Sequence, residues 1–380
     1  MRPLVIGIEL IDDPAWMGGT LYLRNLATAL LRLPEGERPA VQLLGAPAAI
    51  ERFGRETGTD PARRPPAQSR WSRLFSRWGL HRPASAAVDV VYPGFGAPVP
   101  GAVTIRWIPD FQHRYLPELF SAEERAARDL SIGAIAAQSG VVVLSSAVAA
   151  EDFRRFYPDA RATPRVWRFC SLLDTSGAPP PLPPELARRL PEKFLYLPNQ
   201  FWAHKNHLTV FKALARLRAE QQLRIPLVCT GAQSDRRNAA HFDSLMRFID
   251  EHDLGEQVHL LGLIDRNDQV GVLRRAAAVV QPSRFEGWST VVEDVRATGR
   301  PLFLSDLPVH REQAPERCTY FPPESDAALA AALGSRWAAL AAGPDPAAEA
   351  AARAAVQDRI QASAREFCDI ARAALRIARG

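Results

Sequence analysis

Glu286 and Asp294 stand eight positions apart in the stretch QPSRFEGWSTVVEDVRATGRP, with Gly287, Trp288, Ser289 and Thr290 directly after the first acid. An apolar run, Ala276 to Val280, leads into this stretch and a helical pattern leaves it. It therefore reads as a strand-to-helix turn at the carboxyl end of a central strand. Gly287 permits a tight turn, and the amides that follow lie unpaired at a helix N-terminus, an end that attracts phosphate. Carboxylates accept hydrogen bonds from hydroxyls. Amides for phosphate and acids for hydroxyls together suit a nucleotide sugar, which carries hydroxyls on its ribose and its hexose. Thr290-Val291-Val292-Glu293 also fits a capping box, in which Glu293 serves only the helix end; that role does not account for Glu286 or Asp294.

A second group lies in YLPNQFWAHKNHLTVFKAL, just after another apolar run. Lys205 precedes a helix that starts near Asn206 and is placed to reach a diphosphate. A lone Lys at a helix start is more often solvated surface, so its meaning rests on what stands beside it.

The elements that must position these groups alternate along the chain. LVIGIEL, VQLLG, VDVVYP, TIRWI and GVVVLSS read as strands, with GGTLYLRNLATALLRL and SAEERAARDLSIGAIAAQ as helices among them. The Pro-rich DTSGAPPPLPPEL then reads as a stiff linker. After it, KFLYLP, IPLVCTG, QVHLLG, AAAVVQP and PLFLS alternate with further helices. Strands separated by helices imply parallel sheets covered on both faces. The expected fold is α/β, with two Rossmann-like domains facing each other across a cleft that binds ligand where strands end. The expected boundaries are 1–175 for the first domain, 176–186 for the linker, 187–360 for the second domain and 361–380 for a final helix that returns to the first.

At 380 residues, 47% apolar and 23% charged, the chain has the size and composition of a two-domain globular protein. Its four cysteines are scattered without a CxxC pair, which argues against a disulfide framework or a zinc site. The first apolar run is too short for a signal peptide and no window reaches a bilayer span, so a cytoplasmic protein is expected. A net charge of +5 is modest and says little about partners; no nucleic acid is expected.

Taken in order, these segments resemble the retaining nucleotide-sugar glycosyltransferases of family four, which have the GT-B fold. The resemblance is best over about Phe194 to Phe321. In that family a Gly-Arg, four residues and a Lys-Gly bind the donor diphosphate; the matching positions here are Asn199, Gln200, Lys205 and Asn206. The family's pair of glutamates, seven residues between them, matches Glu286 and Asp294. The resemblance implies that Glu286 contacts the donor sugar, Gly287 to Thr290 the sugar and β-phosphate, and Asp294 the ribose. It implies that the base lies against Leu263 and Ile264. Gln200 leaves the diphosphate one charge short, which Arg284 is a candidate to supply. In the first half, Gly18-Gly19 matches the family's glycine loop near donor phosphate and acceptor. In WIPDFQHRYLPELFS, Pro109 stands where a His is common, Asp110 keeps its place and His113 is the substitute near the donor sugar. Catalysis would then rest on Glu286, Lys205, His113 and Asp110, with front-side attack, no metal and no cofactor beyond the nucleotide sugar itself.

One segment points elsewhere. In SRWSRLFSRWGLHR, Trp71, Leu74, Phe75 and Trp78 recur at helical spacing while arginines take other faces. This suits peripheral contact with an anionic membrane, at the inner face for a cytoplasmic protein, or equally a helix packed on a sheet. The expected reaction is transfer of a hexose-type sugar to a glycan or lipid-linked acceptor in cell-surface polysaccharide assembly. The rival readings are a non-catalytic nucleotide-sugar-binding protein and a sugar-nucleotide epimerase of the same fold.

Overall fold

The structure is a computed structural model, and it describes residues 3–11, 16–59 and 88–379. The basic aromatic segment with Trp71, Leu74, Phe75 and Trp78 lies outside the described residues. The chain divides into two compact units. The first comprises residues 1–110, 129–172 and 357–380, and the second comprises 111–128 and 173–356. Contacts thus group the chain differently from the sequence boundaries, because the short segment 111–128 belongs with the second unit.

The first unit has parallel strands throughout. β1 (Val5–Glu9), β2 (Ala40–Leu44), β3 (Val90–Tyr92) and β4 (Val103–Thr104) form a sheet in the order β2-β1-β3-β4. One residue, Ile105, separates β4 from β5 (Arg106–Ile108), which pairs in the order β5-β6-β7 with β6 (Gly140–Leu144) and β7 (Ala162–Val166). The alternation of apolar runs does not reveal β7, because Pro164 interrupts it; Pro is tolerated there since β7 is an edge strand.

The second unit is built on one six-stranded parallel sheet. Its strands are β8 (Leu195–Leu197), β9 (Leu227–Cys229), β10 (Val258–Leu260), β11 (Ala278–Gln281), β12 (Leu302–Ser305) and β13 (Cys318–Phe321). They run in the order β10-β9-β8-β11-β12-β13, so the winding reverses between β8 and β11. The pleat sends alternate side chains to opposite faces. Leu195, Leu197, Val280 and Phe303 pack into one apolar layer, and Tyr196, Val279, Leu302 and Leu304 into the other. Burial on both faces explains why these strands read as unbroken apolar runs. β13, short and half-buried, closes the other edge and has no such run.

The Pro-rich segment is tied down rather than loose. Arg274, on the helix Arg266–Arg275, makes a two-pronged pair with Glu349 at 2.9 and 2.7 Å. It also donates to the carbonyls of Gly177 and Ala178. Glu349 lies in the first turn of the last helix, Pro346–Ile377, which belongs to the first unit from residue 357 onward. Among the described residues, no helix is long and apolar enough to cross a membrane.

Candidate active site

In an open parallel sheet, the loops leaving two strands on either side of a winding reversal diverge and leave a crevice at the strands' carboxyl ends. Here those loops follow β8 and β11, and they carry Lys205 and Glu286. Lys205 ends a single turn, Ala203–Lys205, and the helix His207–Gln221 begins two residues later. Between them Asn206 takes a left-handed conformation, φ 59°, which Asn tolerates better than most residues. Its side chain donates to the carbonyls of Pro282 and Pro323, tying the β8 loop to the segments that follow β11 and β13.

Lys205 Nζ lies 2.7 Å from Glu286 Oε1. The same oxygen accepts from Gln281 Nε2 at 2.8 Å and Ser283 Oγ at 2.7 Å. Three donors on one oxygen orient the carboxylate and leave Oε2 able to accept a further hydrogen bond. Burial by itself would push this carboxyl up. The charge of Lys205, with the hydrogen bonds from Lys205 and Ser283, outweighs burial and holds it below its ordinary value. Glu286 is therefore ionised at neutral pH and suited to accept hydrogen bonds, not to donate a proton. Gln281 in turn accepts from Asn199 at 2.7 Å, which bridges the ends of β8 and β11.

Other predicted residues have partners within the protein. Gln200 uses its side-chain oxygen to hold the amide of Ala232 at 2.6 Å. The backbones meet closely there: a Cβ at Gly231 would sit 2.2 Å from the Asn199 carbonyl oxygen. Arg284 is shared by Glu324 at 2.8 Å and Glu118 at 3.3 Å. Asp294 receives Arg266 Nη2 at 2.6 Å, in a pair only 17% and 7% exposed. The capping box is corrected. The N-cap of the helix Thr290–Thr298 is Ser289, whose hydroxyl accepts from the amide of Val292, so Glu293 lies one position too late to close the box. Glu293 accepts instead from Gln313, which also holds the amide and carbonyl of Ser289. Of the amides expected for phosphate, that of Ser289 is thus taken within the protein. Leu263 is largely exposed, and Ile264 packs beside the sheet.

His113 is buried on the short helix Gln112–Tyr115 and belongs to the second unit. Arg237 bonds the neighbouring Gln112 at 3.2 Å and lies over Phe120, and Tyr115 packs on Phe285. Asp110, half-buried, closes the last stretch of the first unit before that segment. Gly18 is exposed with open space where a Cβ would go. Gly19 differs: a Cβ there would lie 2.9 Å from the Trp16 indole and from Ile11, so packing requires this glycine. Among the described residues, no group of three or more His, Cys, Asp or Glu side chains could hold a metal ion.

Sequence reasoning missed Gln281, Ser283 and Arg266. Gln281 carried a usable signal, a polar residue closing an otherwise apolar strand.

Residues 182–335 match the family model of glycosyl transferases group 1. No curated protein matches significantly. Among solved structures, sucrose-phosphate synthase from Thermosynechococcus elongatus is similar with a TM-score of 0.61 and 18% identity, over 100% of this chain and 98% of that one. HepE from Anabaena, crystallised with UDP and glucose, aligns at TM-score 0.63 and 14% identity over 97% of this chain and 99% of that one. A glycosyltransferase from Rickettsia africae aligns at 0.61 and 13%, over 99% of each. At these identities the likeness shows the fold: two Rossmann-like α/β domains of GT-B type.

Proposed function

We propose that this chain is a retaining, metal-independent glycosyltransferase that moves a hexose-type sugar from a nucleoside-diphosphate sugar to a glycan or lipid-linked acceptor. The observation that carries this reading is the meeting of Lys205 and Glu286, 2.7 Å apart, at the reversal between β8 and β11. The match of residues 182–335 to glycosyl transferases group 1, and a neighbour that holds UDP and glucose, support a donor of this class.

On this reading Lys205 bridges the donor diphosphate and Glu286, offsetting the charge that grows on the leaving group. Glu286 Oε2 accepts a hydroxyl of the donor sugar, and Asp294, steadied by Arg266, accepts from the ribose. The bond from the anomeric carbon to the phosphate oxygen breaks while the acceptor oxygen bonds that carbon on the same face. The acceptor's proton passes to the departing phosphate, so no separate protein base is needed. Surface glycan assembly at the inner membrane face follows if the segment with Trp71, Phe75 and Trp78 docks on lipid.

The test is release of nucleoside diphosphate from a panel of UDP-, GDP- and dTDP-sugars, with the product anomer read by NMR. An inverted product overturns retention. A second reading, nucleotide-sugar binding without turnover, is favoured by the engagement of Gln200 with Ala232. Tight binding with no release in that panel would select it.

A further inference from the structure

At the carboxyl end of the first unit's strands stands a group of aromatic rings that the donor site does not use. Trp107, from β5, is parallel within 5° both to Tyr22, at 4.0 Å between centroids, and to Trp16, at 5.5 Å. Phe95, in the loop after β3, lies 6.1 Å from each of Trp16 and Trp107. Tyr22 and Trp107 are buried, Trp16 is half-buried, and Phe95 is 49% exposed.

The backbone is arranged around these rings. Gly19 makes room for the Trp16 indole. Glu9, the last residue of β1, accepts the amide of Phe95 at 2.6 Å. A Cβ at Gly96 would fall 2.1 Å from Glu9 Oε1, so a larger residue there would turn that carboxylate aside. Gly94 has φ +68°, and a Cβ there would strike Thr104 and the Ile105 carbonyl. Three glycines and a carboxylate thus hold a large apolar ring in place while leaving half of it in water.

We propose that Phe95, Trp16 and Glu9 form a pyranose-binding subsite, which on the transferase reading above seats a sugar ring of the acceptor. The axial C–H bonds of a pyranose carry partial positive charge and lie well on the negative face of an aromatic ring. The hydroxyls at the ring's rim need acceptors, and Glu9 supplies a carboxylate within the same loop contact. A lipid chain or an apolar protein segment would use the rings but not the acid beside them.

The experiment reads sugar binding directly, without any donor. Saturation-transfer NMR is run on the full chain with methyl pyranosides of D-glucose, D-mannose, D-galactose, N-acetyl-D-glucosamine and L-rhamnose. At least one is expected to receive saturation at its C–H protons, and to bind about tenfold more weakly to Phe95→Leu, which keeps apolar area but lacks a ring. Phe95→Tyr should retain binding, and Glu9→Gln should weaken it. Nucleoside diphosphate release without acceptor should be the same in Phe95→Leu as in the native chain. Failure of every pyranoside to bind, or full binding by Phe95→Leu, overturns the subsite. Loss of donor turnover in the native chain overturns the transferase reading while leaving the sugar-binding result to stand by itself.

Discussion

Lys205 Nζ and Glu286 Oε1 are 2.7 Å apart although 81 positions separate them in the chain. Each follows a different strand, and the strands are neighbours only because the sheet winds outward in both directions from β8 and β11. The ammonium and the carboxylate, 16% and 9% exposed, hold each other in place, so on the proposed reading a diphosphate meets an ammonium already positioned.

Lys205→Met should weaken donor binding by about 1.5–3 kcal/mol, the worth of a hydrogen bond to a charged group. It should also raise the Glu286 carboxyl, since burial would then act with less opposition. The acid limb of the pH–rate profile should move to higher pH. An unchanged donor KM together with an unchanged profile would show that the diphosphate lies elsewhere.

Glu286→Gln should lower kcat roughly 10²-fold with the fold intact, because a charge aimed at the reacting sugar is lost. Asp294→Ala should act differently. It should raise donor KM and also lower Tm, because Arg266 is left in a buried place without its carboxylate. Equal and mild kinetic effects from both variants would point to roles confined to the helix end.

Breaking the Arg274–Glu349 pair from one side should cost about 3–5 kcal/mol, since the partner remains charged and buried. Replacing both, as Arg274→Met with Glu349→Leu, should cost less than either single change, although the Gly177 and Ala178 carbonyls lose their donor. Chemical denaturation of the three variants measures this. A double variant as unstable as the sum of the singles would mean that no coupling exists between the two.

Acid should destabilise the fold in a definite window. Burial, then the neighbouring His241 and Lys205 charges, pushes His207 down to about 3; His204 and His310 are also lowered, mainly by burial. Unfolded, each takes up a proton near 6.5. The unfolded chain therefore binds more protons below that pH, so stability is complete above about 6.5 and falls as pH drops through it. His207→Phe, which keeps the stack on Phe201, should reduce the slope between pH 6 and 4 by about 1.4 kcal/mol per unit. An unaltered slope would mean that His207 takes up its proton in the folded state.

Vesicle co-sedimentation tests membrane docking by the basic aromatic segment. Binding should require anionic lipid, fall with salt, and reflect about 1 kcal/mol per arginine near the surface. Changing Trp71, Phe75 and Trp78 to Ser should abolish it without lowering Tm. A sharp loss of Tm with no vesicle binding by the native chain would make the segment part of the core.

The alternation of strand and helix was legible because burial leaves a local mark: a strand covered on both faces must be apolar along its length. The same marks placed Lys205 and Glu286 at strand-to-helix turns, where unpaired amides and ligands gather. Edge strands β7 and β13 left weaker marks, one interrupted by Pro164 and one only half-buried. Local pattern carries no record of which strands lie side by side. Strand order, and with it the approach of Lys205 to Glu286 and of Arg266 to Asp294, emerged only from the packing of the whole second unit. The same holds for the 111–128 segment, whose residues read as a continuation of the first half but find their partners in Arg237, Arg284 and Phe285. Gly19 makes the point at one residue. The sequence shows a two-glycine turn, and only the packed chain shows that the Trp16 indole and Ile11 lie where a side chain at Gly19 would go.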